Sequence, residues 1–397
     1  MIKLSERLNA MEESATLAMS RKSRELKAQG KDVISLSLGE PDFVTPQFIK
    51  DAAIEAMNNN FTMYTPVPGY DDLREAICRK FERDNGLMYT KDQIVVSTGA
   101  KQSIANVVLS LIGEGDEVVI PAPYWVSYLE IVKVAEGVPV VISAGIENDF
   151  KISGKELEAA ITPRTKLMIF STPCNPTGTV YTKEELRDLA DVIRKYPDLV
   201  VICDEIYEHI NFIGKHESLA QFDDVYDQVV TVNGMSKAWA MTGWRLGYIG
   251  APKIIADACT KIQGQFTSGT CSITQKASIA ALNADPSVLE EMIQAFNRRR
   301  HLVLKALNEI PGVKANVPVG AFYIFPDVSS YFGKSLGEYK INTAEDLCMY
   351  LLSEVHVGLV TGEAFGDPNC IRISYAASEE TLTEAMSRIR RALENLN

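Results

Sequence analysis

Lys237 and Arg245 stand eight places apart in the stretch Asn233-Gly-Met-Ser-Lys-Ala-Trp-Ala-Met-Thr-Gly-Trp-Arg-Leu246, and small residues, Gly234, Ser236, Ala238 and Ala240, surround the lysine. Small neighbours leave room for something bulky. A lysine does chemistry once its amine is deprotonated or condensed with a carbonyl, and a confined site beside another cation favours both outcomes. Lys237 is therefore the candidate reactive centre, and an aldehyde is its fitting partner. Arg245 is either the neighbouring cation or a phosphate clamp, because its planar fork presents several donors to one anion. Taken alone, a Ser-Lys pair is ordinary surface chain.

Other residues gain weight from their position at the ends of apolar runs, since ligands of α/β proteins collect at the carboxyl ends of parallel strands. Gly99-Ala100-Lys101 closes one such run and opens a helix, giving backbone donors and a positive dipole end suited to phosphate. Neither a Walker pattern nor GxGxxG accompanies it, which argues against a nucleotide. Asp204, followed by Glu205-Ile206-Tyr207, leaves another run. Such a carboxylate needs a cation or donor: a pyridinium nitrogen would serve, with Tyr207 reaching the same ring's oxygen, and a plain helix N-cap is the alternative. Asn175 sits in the turn Thr172-Pro-Cys-Asn-Pro-Thr-Gly178, and Trp125 in Pro121-Ala-Pro-Tyr-Trp-Val126, where core packing is the competing reading. In Cys370-Ile-Arg-Ile-Ser-Tyr375 the alternation sets Arg372 opposite Ile371 and Ile373, suited to a substrate carboxylate or to an acidic neighbour.

The elements that must position these residues are strands at Gln93–Thr98, Glu117–Pro121, Pro139–Ser143, Leu167–Ser171, Leu199–Cys203, Val229–Val232 and Leu246–Ile249, alternating with helices at Lys101–Ile112, Ser153–Ala160 and Lys183–Lys195. Thr182 with Glu185 makes a capping box for the last of these. The alternation predicts an α/β fold: a large domain, residues 50–290, with a mostly parallel sheet flanked by helices. A smaller α+β unit follows, with a helix over Ser287–Glu309, strands at Gly320–Pro326 and Cys370–Tyr375, and helices at Thr343–Glu354 and Glu379–Asn395. Residues 1–49 and 291–397 are expected to pack together as N-terminal arm and small domain.

Composition excludes several classes. A chain of 397 residues, 46% hydrophobic, can bury a large core. Its net charge of -12 disfavours nucleic acid, and no apolar run approaches membrane-spanning length. Seven cysteines without a CxxC pair and an N-terminus without a secretory pattern predict a cytoplasmic protein. His209, His216, His301 and His356 form no HxxxH or HExxH pair, so they read as surface or core residues and no metal is expected.

Asn175-Pro-Thr-Gly, Asp204-x-x-Tyr207, Ser236-Lys237 followed by Arg245, and Arg372, in this order over nearly the whole chain, resemble the class I and II aminotransferases, pyridoxal phosphate enzymes of fold type I. Glu40-Pro41-Asp42, Trp125-Val-Ser-Tyr128 and the segment Lys237 to Arg245 are similar to the bacterial aspartate aminotransferase branch. The resemblance implies that Lys237 bonds covalently to pyridoxal 5'-phosphate, Asp204 keeps the ring nitrogen protonated, Tyr207 and Asn175 hold the ring oxygen, and Trp125 stacks on the ring. It implies Gly99, Ala100, Lys101 and Arg245 as phosphate ligands, and Arg372, Asn175 and Gly39 as ligands of the substrate carboxylate. Tyr64 would reach the partner's phosphate in a homodimer. Some members carry a phosphate-binding serine where this chain has Gly234, a departure that Ser236 would cover. Lys101, near Ser14 and Thr16, would take the second carboxylate of a dicarboxylic substrate. The implied reaction is ping-pong aspartate:2-oxoglutarate transamination (EC 2.6.1.1). Aromatic, prephenate or alanine specificity and a β/γ-lyase of the same fold are the alternatives.

Overall fold

The computed structural model describes residues 2–397. Seven strands build its large sheet: β1 Ile94–Ser97, β2 Glu117–Ala122, β3 Val138–Ser143, β4 Thr165–Ser171, β5 Val200–Asp204, β6 Val229–Gly234 and β7 Gly247–Gly250. Their spatial order is β1-β7-β6-β5-β4-β2-β3. Neighbours from β3 across to β6 pair in parallel, while β7 runs against both β6 and β1. The mostly parallel sheet expected from the alternating pattern is present.

Alternate residues of each strand feed two cores on opposite faces of this sheet. Val95, Val118, Ile120, Leu167, Ile169, Ile202, Val230 and Ile249 join one, and Ile94, Val96, Val119, Met168, Phe170, Val201, Val229 and Tyr248 join the other. A sheet covered on both faces needs apolar residues at every position, which is why its strands read as continuous runs. β3 is the exception. It lies at the edge, and Val138 and Val141 stay exposed.

The capping box at Thr182 forms as expected and starts the helix Lys183–Ile193. The stretch Ser287–Glu309 is not one helix. Asp285 accepts a hydrogen bond from the Ser287 amide and Pro286 donates none, so a 3-10 turn at Pro286–Leu289 precedes the α-helix Glu290–Asn308. The strand expected at Gly320–Pro326 shrinks to Tyr323–Ile324, because Ala321 takes a left-handed φ of 55° that interrupts an extended ladder. That short strand joins Ile371–Ser374 and Val360–Thr361 in an antiparallel three-stranded sheet. Near the start of the chain, Ile34–Ser35 pairs in parallel with Val357–Gly358. Among the described residues no helix is long and apolar enough to cross a membrane.

Two of the four histidines, which read from the sequence as surface or core residues, lie among carboxylates. The turn after β5 buries Glu205 and Glu208, and places His216 Nε2 3.0 Å from Glu205 and His209 Nε2 3.3 Å from Glu208. These groups, with Asp84, converge in the manner of metal ligands. A cation is already built in, however: the Lys80 ammonium bonds Glu208 and the Asn85 Oδ1, and Asn85 in turn donates to Glu208. Burial works to raise the Glu208 carboxyl, but the charges of Lys80 and the two histidines prevail and hold it well below the usual carboxylate range. Removing the cation strands a buried anion. Lys80→Met should therefore lower unfolding free energy by about 3–5 kcal/mol, read from urea denaturation, and a loss below about 1 kcal/mol would show that the pair is dispensable.

Candidate active site

The chemistry-bearing residues converge where β1, β5 and β6 end. The chain leaves β6 at Gly234, passes Ser236 and Lys237, and returns through Arg245 into β7. Because β7 is antiparallel to β6, this excursion begins and ends at one edge of the sheet. Its return is pressed against the first turn of the helix Ala100–Leu111: a Cβ on Gly247 would lie 2.2 Å from the Ala100 nitrogen. On Gly99, whose φ is +86°, a Cβ would lie 2.4 Å from Arg245 Nη2. Only glycine lets the guanidinium lie on that turn. The arrangement unites an arginine with the open N–H groups and positive dipole of a helix start, a cradle for an anion.

Gly234 is equally constrained. A Cβ there would meet the Gly247 Cα and the Leu246 carbonyl, both at 2.9 Å, so the close approach of β6 to β7 excludes a serine at this place. On the excursion between β6 and β7, the hydroxyl-bearing residues that line the cavity are Ser236 and Thr242.

The cavity itself holds about 250 Å³ and is lined by Ser14, Thr16, Gly39, Ala100, Lys101, Trp125, Asn175, Asp204, Tyr207, Ser236, Lys237, Arg245 and Arg372. Thus thirteen of the fifteen residues singled out from the sequence surround one space, while Gly99 sits behind the Arg245 guanidinium. Tyr64 does not join them. It is 99% exposed on the surface of this chain. Tyr128, Thr242 and Tyr323 also line the cavity and were not anticipated.

Lys237 Nζ donates to the Gly39 carbonyl at 2.5 Å and lies 5.7 Å from the Tyr207 ring centroid. Burial, then the charge of Arg372, pull its pKa down to about 8. Asp204 ends β5 in the expected position, but no helix follows, so it caps none. Its Oδ2 accepts from the Tyr128 hydroxyl at 2.8 Å and its Oδ1 from the Ile206 amide at 3.3 Å. Burial pushes its pKa up to about 6 against the pull of the Tyr128 hydrogen bond.

Arg372 is 1% exposed and, among the described residues, pairs with no carboxylate. Its guanidinium donates to Asn175 Oδ1 at 3.0 Å and to the Ser37 carbonyl, stacks 4.7 Å over the Tyr323 ring, and leaves Nε without a partner. A buried cation so placed is poised for an incoming anion. The hydroxyls of Tyr207 and Tyr323 share a hydrogen bond of 2.8 Å. Lys101 Nζ lies 4.9 Å over the Trp125 ring, and burial, then the charge of Arg245, lower its pKa.

A lysine with a softened pKa, a buried carboxylate, an anion cradle and a free arginine are what covalent carbonyl chemistry on an anionic substrate needs. Residues 31–389 match the model of the family described as aminotransferase class I and II. The chain belongs to the class I and II aminotransferases. This aminotransferase is 49% identical over 397 residues to the bifunctional aspartate aminotransferase and glutamate/aspartate-prephenate aminotransferase of Petunia hybrida, covering 99% of this chain and 83% of that one. Its structure superposes on that of the aspartate aminotransferase from Rhizobium meliloti with a TM-score of 0.97, at 42% identity and with 100% of both chains covered. The Thermus thermophilus aspartate aminotransferase with maleate gives 0.93 at 39% identity, covering 99% of this chain and 100% of that one.

The depressed pKa of Lys237 sets a testable pH dependence for this aminotransferase. A lowered pKa means that the neutral amine, the reactive form, dominates above about 8, whereas exposed lysines reach that point near 10.4. Reductive methylation of the protein without added coenzyme, followed by peptide mass mapping, should show Lys237 modified with a midpoint about two pH units below that of surface lysines. A midpoint shared with surface lysines would refute the assignment.

Proposed function

We propose that this aminotransferase moves the amino group of aspartate to 2-oxoglutarate, using pyridoxal phosphate bound at Lys237. The observation that carries the proposal is the convergence of a softened lysine, a buried carboxylate, an anion cradle and an unsatisfied arginine on one cavity. The residues fit the coenzyme. The Gly99 turn, which any Cβ would fill, leaves the Arg245 fork and the helix start for the phosphate, with Ala100, Lys101, Ser236 and Thr242 around it. Asp204 is the acceptor for the ring nitrogen, Tyr207 and Asn175 are the donors for the ring oxygen, and Trp125 covers the ring face.

When bound, the coenzyme supplies a conjugated, protonated ring able to delocalise the electrons left at the substrate's α-carbon. The protein does the rest. Arg372 takes the α-carboxylate through its open edge, helped by Asn175 and the Gly39 backbone. Asp204, as an anion, sustains positive charge where water could not reach it. Lys237 Nζ, once free as an amine, would take the proton from the substrate's α-carbon and hand it to the coenzyme's 4′-carbon on the far side of the shared nitrogen, a role its lowered pKa suits near neutral pH.

Lys101 supports aspartate as the donor, since it brings a second cation into the cavity close to Ser14 and Thr16. The relatives named above carry aspartate in their names, and one of the solved structures contains maleate, a four-carbon dicarboxylate. The Petunia hybrida relative's name also favours prephenate as a second amino acceptor. Exposed Met63, Tyr64 and Phe266, on segments tied by the Thr65–Thr270 hydrogen bond, support a homodimer in which Tyr64 enters the neighbouring site. Residues 50–290 are read as the coenzyme-holding domain. The pairing of Ile34–Ser35 with Val357–Gly358 supports residues 1–49 joining 291–397 in the smaller one. Seven free cysteines accord with a cytoplasmic setting.

Borohydride reduction of the protein loaded with pyridoxal phosphate should fix the label on Lys237, and aspartate with 2-oxoglutarate should yield glutamate. A label elsewhere, or pyruvate and ammonia from cysteine-type substrates in place of transamination, would overturn the reading. Lys101→Ser should raise KM for aspartate at least about tenfold more than KM for phenylalanine, in steady-state assays, because only aspartate loses a charge-assisted contact. Equal effects on both donors would remove Lys101 from specificity.

A further inference from the structure

Tyr128 carries a hydroxyl that the reaction outlined above leaves unused. It lies in the first turn of the helix Ser127–Val134, fully buried, with its ring edge-on to Trp125 at 5.5 Å. Core packing would need only the ring. Its hydroxyl instead spans from that helix to the end of β5 and donates to Asp204 Oδ2 at 2.8 Å, while the Ile206 amide holds Oδ1 at 3.3 Å. Each carboxylate oxygen thus has one fixed donor, which sets the plane in which the remaining lone pairs face the cavity.

From this geometry we infer that Tyr128 is a positioning residue, which holds Asp204 in the orientation and charge state that keep the coenzyme's ring nitrogen protonated. The inference rests on the pyridoxal phosphate reading of the cavity.

The charged surroundings of Asp204 make the hydroxyl decisive. Burial, the largest influence, opposes the anion; Glu205 opposes it too, and Lys237 supports it from the cavity side. The Tyr128 hydrogen bond is the strongest single influence favouring the charged form. Burial also drives the Tyr128 phenol far above its ordinary range, so it remains a donor throughout the working pH. Ser171 pairs with Asp204 in register, and its buried hydroxyl lies near the Tyr128 hydroxyl without donating to Asp204. If the Tyr128 hydroxyl is deleted, the carboxyl binds its own proton more tightly. The proton shared between the ring nitrogen and Asp204 then shifts towards the carboxyl.

The test uses the full-length protein loaded with pyridoxal phosphate labelled with 15N in the ring. Loading of the wild-type protein comes first, because failure to load would overturn the coenzyme reading itself. In Tyr128→Phe the 15N resonance should move towards that of unprotonated pyridine, and kcat for aspartate should fall about tenfold with KM within about twofold. A 3-fluorotyrosine incorporated at position 128 keeps the ring and donates more strongly, so it should move the resonance the opposite way. It also supplies the answer should Tyr128→Phe fail to fold. A wild-type resonance in both proteins, or in fluorotyrosine protein alone when the other does not fold, overturns the inference; so does a kcat loss that vanishes when normalised to folded protein.

Discussion

The site depends on keeping a carboxylate charged where water is excluded. Asp204 closes a strand buried on both faces, in a position that ordinarily favours the neutral acid. The surrounding architecture answers that cost with a donor on each oxygen and an ammonium across the cavity. Lys237 faces the converse problem, since burial and the Arg372 guanidinium both disfavour its charge. One cavity therefore steers an acid and a base away from their ordinary values in directions that bring both close to neutrality.

The sheet makes this possible through its direction. Parallel strands deliver Ser97, Ser171 and Asp204 to one edge, and the reversed β7 lets the chain leave and re-enter that edge with Lys237 and Arg245 on a single excursion. Glycines at 234 and 247 let β6, β7 and the Gly99–Ala100 turn approach to distances that any side chain would forbid, and Gly99 leaves room for the Arg245 guanidinium. The cradle for an anion is thus a property of backbone packing, and the arginine is laid over it.

Much of this was legible in the sequence. The strands of the large sheet stood out because burial on both faces demands continuous apolar runs, and residues at the ends of those runs could be weighed by position. Asp204, Lys237, Arg245 and Arg372 were found in this way, with the family resemblance assigning their roles. Tyr128 and Tyr323 were not found as site residues. Their hydroxyls act on partners 76 and 116 residues away, and nothing in a tyrosine's neighbours along the chain reports such a contact. The histidine and carboxylate clusters behind β5 escaped notice for a similar reason, since Lys80 and Asp84 come from one segment and Glu205, Glu208, His209 and His216 from another far along the chain. The shortened strand at Tyr323–Ile324 traces to one left-handed alanine, a conformation that residue type alone does not announce.

The parallel bridge between Ile34–Ser35 and Val357–Gly358 has a consequence for how the molecule is made. A nascent chain that has emerged as far as Gly250 already carries Lys237, Asp204 and the anion cradle, whereas Arg372 and Val357–Gly358, the partner of Ile34–Ser35, have yet to be synthesised. The anion cradle can thus be complete before Arg372 exists, and the amino-terminal segment must wait through most of translation before it finds its place.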